Sequence, residues 1–230
     1  MYVLHYAPDN ASLIVRLVLL ELDAAHRTSL VDRRVRAQDG PEYRRLNPNG
    51  LIPALETPDG ALFETGAILL WLSERHGALA PQPGDAARGD FLKWLFFVSN
   101  TLHADTRLLF YPERHAGQSA DVAAFRDAAR NRVASHLGLV EAMAATRPGW
   151  FSPDAPSVLT LYVCCLVRWL ALYPVETAGW LDLGRYPALG AVAAAMEQRP
   201  SALQASLIEG LGATIFTQPS YACPTEGSAT

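Results

Sequence analysis

Two hydrophobic rhythms divide the chain. Over residues 2–77 short apolar runs alternate with brief helical periods, and from residue 87 onward helical patterns continue without strand signals. Tyr2 to Tyr6 reads as a short apolar strand, broken by Pro8-Asp9-Asn10. Ala11 to Asp23 places Leu13, Leu17 and Leu20 at helical spacing, with Val18 and Leu19 beside them. Arg27 to Val31 alternates weakly as a second strand, and Gly40 to Leu46 reads as a short polar helix. Ile52 to Glu56 and Ala61 to Phe63 pair as a hairpin around Pro58-Asp59-Gly60, residues with turn chemistry. Ala67 to Arg75 forms a closing helix that Gly77 ends. The predicted order is β-α-β-α-β-β-α.

The Pro/Gly-rich segment Leu79 to Asp85 reads as a linker. The expected units are therefore residues 1–77, a linker over 78–86, an all-helical unit over 87–211 and a tail over 212–230. Ala87 to Phe110 is apolar on more than one face, through Phe91, Trp94, Leu95, Phe96, Leu102 and Leu109. Such a helix needs cover on both sides. One side can pack on the N-terminal unit, and the other can meet a second copy or wall an apolar pocket. The tail from Gly212 lacks any period and is expected to be an arm or disordered.

Composition narrows the class. Half of the 230 residues are hydrophobic and 18% are charged, ample material for a core. A net charge of −4 argues against a nucleic-acid surface. Three cysteines, two of them adjacent, make no disulfide framework, so a reducing, cytoplasmic setting is expected. Cys164 and Cys165 read as packing residues. Arg16 interrupts the apolar run Ala11 to Leu20, and nothing approaches the roughly 20 apolar residues of a membrane span. A soluble protein is expected.

The chemistry concentrates in Leu46-Asn-Pro-Asn-Gly-Leu-Ile-Pro-Ala-Leu55, followed by Phe63-Glu64-Thr65-Gly66. Pro53 at a strand start cannot donate to the ladder, and X-Pro is the bond whose cis form costs only about 0.5–1 kcal/mol. With Ile52-Pro53 cis, the N–H and C=O of Ile52 would face outward to pair with an extended peptide. Thr65 and the amides after it stand where a helix start receives a carboxylate, and Glu64 stands beside them to receive an ammonium. Taken alone, Thr65 reads as a helix cap and Glu64 as a solvated charge; the proline loop upstream turns them into a receptor for a small zwitterionic peptide.

This constellation resembles the glutathione transferase family, and most closely its bacterial beta class. Tyr6-Ala-Pro-Asp-Asn-Ala-Ser-Leu13, Trp94 to His103 and Leu166-Val-Arg-Trp169 extend the likeness over residues 1–210. The resemblance implies an α/β thioredoxin-like domain followed by an all-helical domain. It implies glutathione as co-substrate without a metal, a homodimer, and conjugation of the glutathione thiolate to a small apolar electrophile, a detoxification chemistry. Ile52, Pro53, Glu64 and Thr65 would then hold glutathione. His103 matches a beta-class histidine facing the site, although a lone helical histidine is as often structural. A basic residue for the glycyl carboxylate falls within Arg33-Arg34-Val35-Arg36, where Arg33, Arg34 and Arg36 are all candidates and a solvated charge face is the plainer reading. Tyr111 and Trp169 are candidates for the electrophile wall.

The sulfur needs a donor. A free thiol titrates near 8.5, so two units of depression require about 2.7 kcal/mol. One hydrogen bond to a charged acceptor contributes roughly 1.5–3 kcal/mol, and a helix N-terminus about 0.3–1. One donor at the start of the first helix suffices, with no metal or general base. Ser12 is favoured, with Asn10 and Tyr6 as alternatives. Ser and Asn at helix starts are ordinarily caps, and Tyr6 at a strand end is ordinarily a half-buried aromatic.

Two departures from the family pattern stand out. The beta class carries a cysteine where this chain has Ala11, so disulfide chemistry is disfavoured. The family's Ser/Thr-x-x-Asp helix start is Ser157-Val-Leu-Thr160 here, and a weaker cap, by about 0.5–2 kcal/mol, is expected without the carboxylate. Both departures also suit a competing reading, a glutathione-binding or interaction protein with little catalysis. A glutathione-assisted isomerase ranks last, because Asp9-Asn10-Ala11 replaces the run that such an enzyme would show.

Overall fold

The computed structural model describes residues 1–117, 121–175 and 179–229. A four-stranded sheet, β1 (Tyr2–Tyr6), β2 (His26–Leu30), β3 (Ala54–Thr57) and β4 (Gly60–Phe63), runs in the order β2-β1-β3-β4. β1 pairs in parallel with β2, with Leu4 opposite Thr28, and antiparallel with β3, with Leu4 opposite Leu55. Leu4 and Leu55 face α1 (Ser12–Glu21) and α3 (Thr65–His76), whose Leu13, Leu17, Ile68 and Leu72 are fully buried against them. The opposite face carries Ala54 and Val31 under Tyr43 of α2 (Pro41–Leu46). This is the thioredoxin-like arrangement.

The helical part comprises α4 (Arg88–Phe97), α5 (His103–Phe110), α6 (Val122–Ala145), α7 (Val158–Leu172), α8 (Pro187–Glu197) and α9 (Pro200–Glu209). The single helix expected over residues 87–110 contains a π-helical segment, Val98–Leu102, between α4 and α5. One extra residue in that turn re-aims the side chains after it. α7 is the central member, with every residue from Val158 to Leu170 buried. α1 packs on α3, α7 and α9, so one apolar core runs through both parts of the chain.

Two expectations meet the structure here. Thr160 completes the capping box despite lacking a carboxylate. Its Oγ1 accepts from the Ser157 N–H at 2.7 Å, and the Ser157 Oγ accepts from the Thr160 N–H at 3.1 Å. Both orphan amides are satisfied, with a neutral hydroxyl as the acceptor where the family pattern has a carboxylate. The tail is packed rather than loose. Ile215 and Phe216 are buried, and the Glu197 carboxylate accepts from the amides of Phe216 and Thr217. Gly210, at φ +65°, ends α9 with the Cys223 carbonyl so close that a Cβ would sit 2.2 Å from its oxygen. The tail then returns to the N-terminal part, where Glu226 accepts from the Tyr6 hydroxyl and the Ala229 carbonyl accepts from Arg33. Thr230 lies outside the described residues.

Candidate active site

A cavity of about 670 Å³ opens between the two parts of the chain. Its inner wall is the loop before β3. The Asn47 side chain donates to the Leu51 carbonyl at 2.7 Å, and so does the Tyr43 hydroxyl, at 2.7 Å. The Asn47 Oδ1 in turn accepts from the Asn49 amide. Gly50 supplies the left-handed turn at φ +63°, where a Cβ would press on the Gln38 carbonyl at 3.0 Å. The Asn-Pro-x-Gly run thus reads as a clamp that delivers Ile52 and Pro53 to the cavity edge, and the bond between them is cis.

The start of α3 forms the next wall. Glu64 precedes it at φ +70°, ψ 113°, a backbone that costs a non-glycine residue on the order of 1–3 kcal/mol. Its carboxylate makes no cap and has no cationic partner among the described residues. Thr65 is the first helical residue and is buried, and its amide and the next two are those a helix start leaves without intrahelical acceptors. Gly66 lets this helix approach the π-helical segment closely, since a Cβ there would stand 3.2 Å from that of Ser99.

The loop Asp9-Asn10-Ala11 closes the third side. Asp9 adopts φ +46° and is almost fully buried. Its carboxylate accepts a two-pronged bond from Arg168, 2.8 Å on each oxygen, and a third from the Trp169 indole N–H at 2.8 Å. The Arg168 guanidinium, itself fully buried, also donates to the carbonyls of Ile215 and Ser220. The Asp9 amide donates to Glu209, which also accepts from Arg16. Asn10, which lines the cavity, accepts from the Ala11 amide through Oδ1 at 2.8 Å, so its NH2 is the group left to donate elsewhere.

The expected site residues therefore sort into two groups. Asn10, Ile52, Pro53, Glu64, Thr65, His103, Tyr111 and Trp169 all line the cavity. Ser12 does not: it is fully buried, and its hydroxyl donates to the Ala7 carbonyl at 2.9 Å and accepts from the Ala7 amide at 3.2 Å. Tyr6 is also turned away, its hydroxyl committed to Glu226 and its ring lying 4.5 Å under the Arg16 guanidinium. Burial and the Glu226 carboxylate raise its pKa, so it stays a phenol. Arg34 forks onto Asp32 and Arg36 binds Asp39, both at the surface and away from the cavity. Arg33 is the member of that run that reaches the wall.

His103 sits 2.7 Å from the Tyr162 hydroxyl through Nδ1, and its ring stacks beside Trp169 at 6.1 Å. Burial, with a contribution from the Arg107 charge, lowers its pKa to about 4. The imidazole is neutral at pH 7 and lends no cation to the site. Because the unfolded chain binds this proton near pH 6.5, stability is retained above that value and falls as pH drops toward 4. Denaturant titrations between pH 7 and 4 should show a shallower decline in His103→Gln than in the parent; identical slopes would refute this assignment.

Fold and cavity together define a thioredoxin-like domain joined to a helical domain, with a peptide-sized site at their junction. Residues 11–75 match the family model for the glutathione S-transferase N-terminal domain. Glutathione S-transferase GST-4.5 of Xanthomonas campestris pv. campestris is 26% identical over 179 residues, spanning 76% of this chain and 86% of that protein. The disulfide-bond oxidoreductase YfcG of Escherichia coli is 36% identical over 101 residues, 41% of this chain and 46% of that one. A sphingomonad glutathione S-transferase, solved in complex with glutathione, superposes with a TM-score of 0.74 at 30% identity, covering 91% of this chain and all of its own. The chain belongs to the glutathione S-transferase family, and it is an enzyme of that family.

Proposed function

We propose that the protein seats glutathione against Glu64, Thr65 and Ile52, ionises its thiol beside Asn10, and adds the sulfur to a small electrophile with an apolar body. The observation that carries this reading is the convergence of an unpaired carboxylate, a helix start and a proline-bent strand edge on one cavity. The γ-glutamyl carboxylate suits the amides of Thr65 and Gly66, and its ammonium suits Glu64. The cysteinyl backbone would pair with Ile52 as an added strand, and the glycyl carboxylate would meet Arg33. The Asn10 amide would then donate to the sulfur, the role that Ser12 and Tyr6 are badly placed to fill. Binding both reactants in one cleft contributes to the rate through proximity.

In this reading residues 1–77 hold the peptide and residues 87–211 wall the electrophile. A cytoplasmic homodimer accords with the half-exposed Phe96 on α4. Disulfide chemistry like that named for the Escherichia coli relative is disfavoured, because Ala11 stands at the helix start and no cysteine lines the cavity among the described residues. Calorimetry with reduced glutathione tests the seat. Uptake at or below millimolar concentration is expected, weakened about tenfold or more in Glu64→Ala, since a bond to a charged group is worth roughly 1.5–3 kcal/mol. Absence of uptake, or unaltered uptake by the variant, defeats the reading. Asn10→Ala should raise the pKa of the bound thiol by about one to two units with little change in affinity, on the same scale.

A further inference from the structure

The outer half of the cavity carries two charges that the glutathione seat does not use. Beyond His103, Arg107 and Phe110 of α5, Tyr111 just past its end and Arg114 in the short 3-10 turn that follows all line the cavity. Neither guanidinium has a carboxylate partner among the described residues. The nearest acids in sequence are engaged elsewhere: Glu113 accepts from Arg126, and Asp105 accepts from Arg132 and His136. Arg114 lies 4.6 Å over the Tyr111 ring, which holds the guanidinium by its face and leaves its N–H edge open. Of the carboxylates that line the cavity among the described residues, Asp9 is consumed by Arg168 and Trp169, and Glu64 belongs to the proposed peptide seat. Two guanidiniums without a carboxylate partner among the described residues therefore border an aromatic wall. A guanidinium presents a planar fork whose best acceptor is a carboxylate.

We infer that this half takes an electrophile with a planar apolar body and a carboxylate, the ring against Phe110 and Tyr111 and the carboxylate on Arg107 and Arg114. The inference rests on the conjugation reading and narrows its substrate class. With a chloronitrobenzoate the reaction balances simply. The glutathione sulfur forms a bond to the ring carbon, chloride leaves with the electron pair of the broken bond, and the thiol proton passes to solvent.

The test begins with binding. The protein, saturated with glutathione, is titrated calorimetrically with unreactive 4-nitrobenzoate and with its methyl ester. The benzoate should bind at least about tenfold more tightly, the scale of one charge-assisted hydrogen bond, and the advantage should shrink as salt rises. The Arg107→Gln/Arg114→Gln double variant should abolish the advantage; both side chains are exposed, so the fold is not at risk. Equal binding of acid and ester overturns the inference, as does an advantage that survives the double substitution. Uptake of a second glutathione that nitrobenzoate displaces would assign the arginines to the peptide and overturn it too. Conjugation of the chloronitrobenzoate methyl ester is measured separately. Turnover of the ester without a carboxylate advantage leaves the conjugation reading standing and the inference fallen, whereas carboxylate binding without any turnover overturns the conjugation reading and, with it, the assignment of an electrophile.

Discussion

Arg168→Met is expected to destabilise the protein by about 3–5 kcal/mol, the cost of stranding one member of a buried ion pair. At roughly 2–4 °C per kcal/mol for a chain of this size, the melting temperature should fall by about 6 to 20 °C. The reason is geometric. Arg168 is fully buried and gives Asp9 both of its strong bonds, while other N–H groups satisfy two carbonyls of the returning tail. Methionine fills much of the space but leaves the Asp9 carboxylate with Trp169 as its side-chain donor. Adding Asp9→Asn removes the stranded charge while keeping a residue type that tolerates positive φ, so the double variant should recover part of the loss. A melting temperature within two or three degrees of the parent in the single variant would show that the pair does not hold the loop. Glutathione affinity should fall with stability here, because Asn10 and Ala11 follow directly from the residue that Arg168 anchors.

Phe216→Ala should cost a similar amount, about 3–5 kcal/mol, by emptying a fully buried aromatic site. The tail passes Gly212, at φ +88°, before that site and is held by Glu197, by the Tyr221 hydroxyl on the Leu172 carbonyl, and by Glu226 on Tyr6. Thermal unfolding measures the loss. A change below about 1 kcal/mol would mean that the tail lies on a core already complete without it, contrary to its burial. Deleting everything after Gly212 should do more than the single substitution, since it also uncovers Arg168 and removes Ala229 from the cavity wall.

The residues of the proposed peptide seat could be singled out in the sequence because they are local. Asn47, Gly50, Pro53, Glu64 and Thr65 lie within about twenty residues of one another; turn and strand chemistry places Asn47, Gly50 and Pro53, whereas Glu64 holds a backbone that favours glycine. Trp169 and Asp9 were legible as separate fragments, and the structure shows the two fragments bonded to each other. Other features depend on distant partners. Nothing near Ser12 announces that the Ala7 backbone absorbs its hydroxyl. Choosing among Arg33, Arg34 and Arg36 required knowing that Asp32 and Asp39 capture the latter two. The tail has no period because its anchors, Glu197 and Arg168, belong to other helices. The arginines at 107 and 114 carried no signal in the sequence: α5 ends at Phe110 and Arg114 lies in the turn that follows, so their place on one cavity wall depends on the fold.

The apolar core described above ignores the boundary between the sheet and the helices, and this limits how the molecule comes apart. α1 buries one flank beneath α3 and another beneath α7 and α9. A fragment ending near residue 77 would expose that second flank and the empty Asp9 pocket to water. Architecture that looks modular is here thermodynamically indivisible: a scanning calorimeter should record one endotherm, and neither half is a portable building block for fusion or exchange.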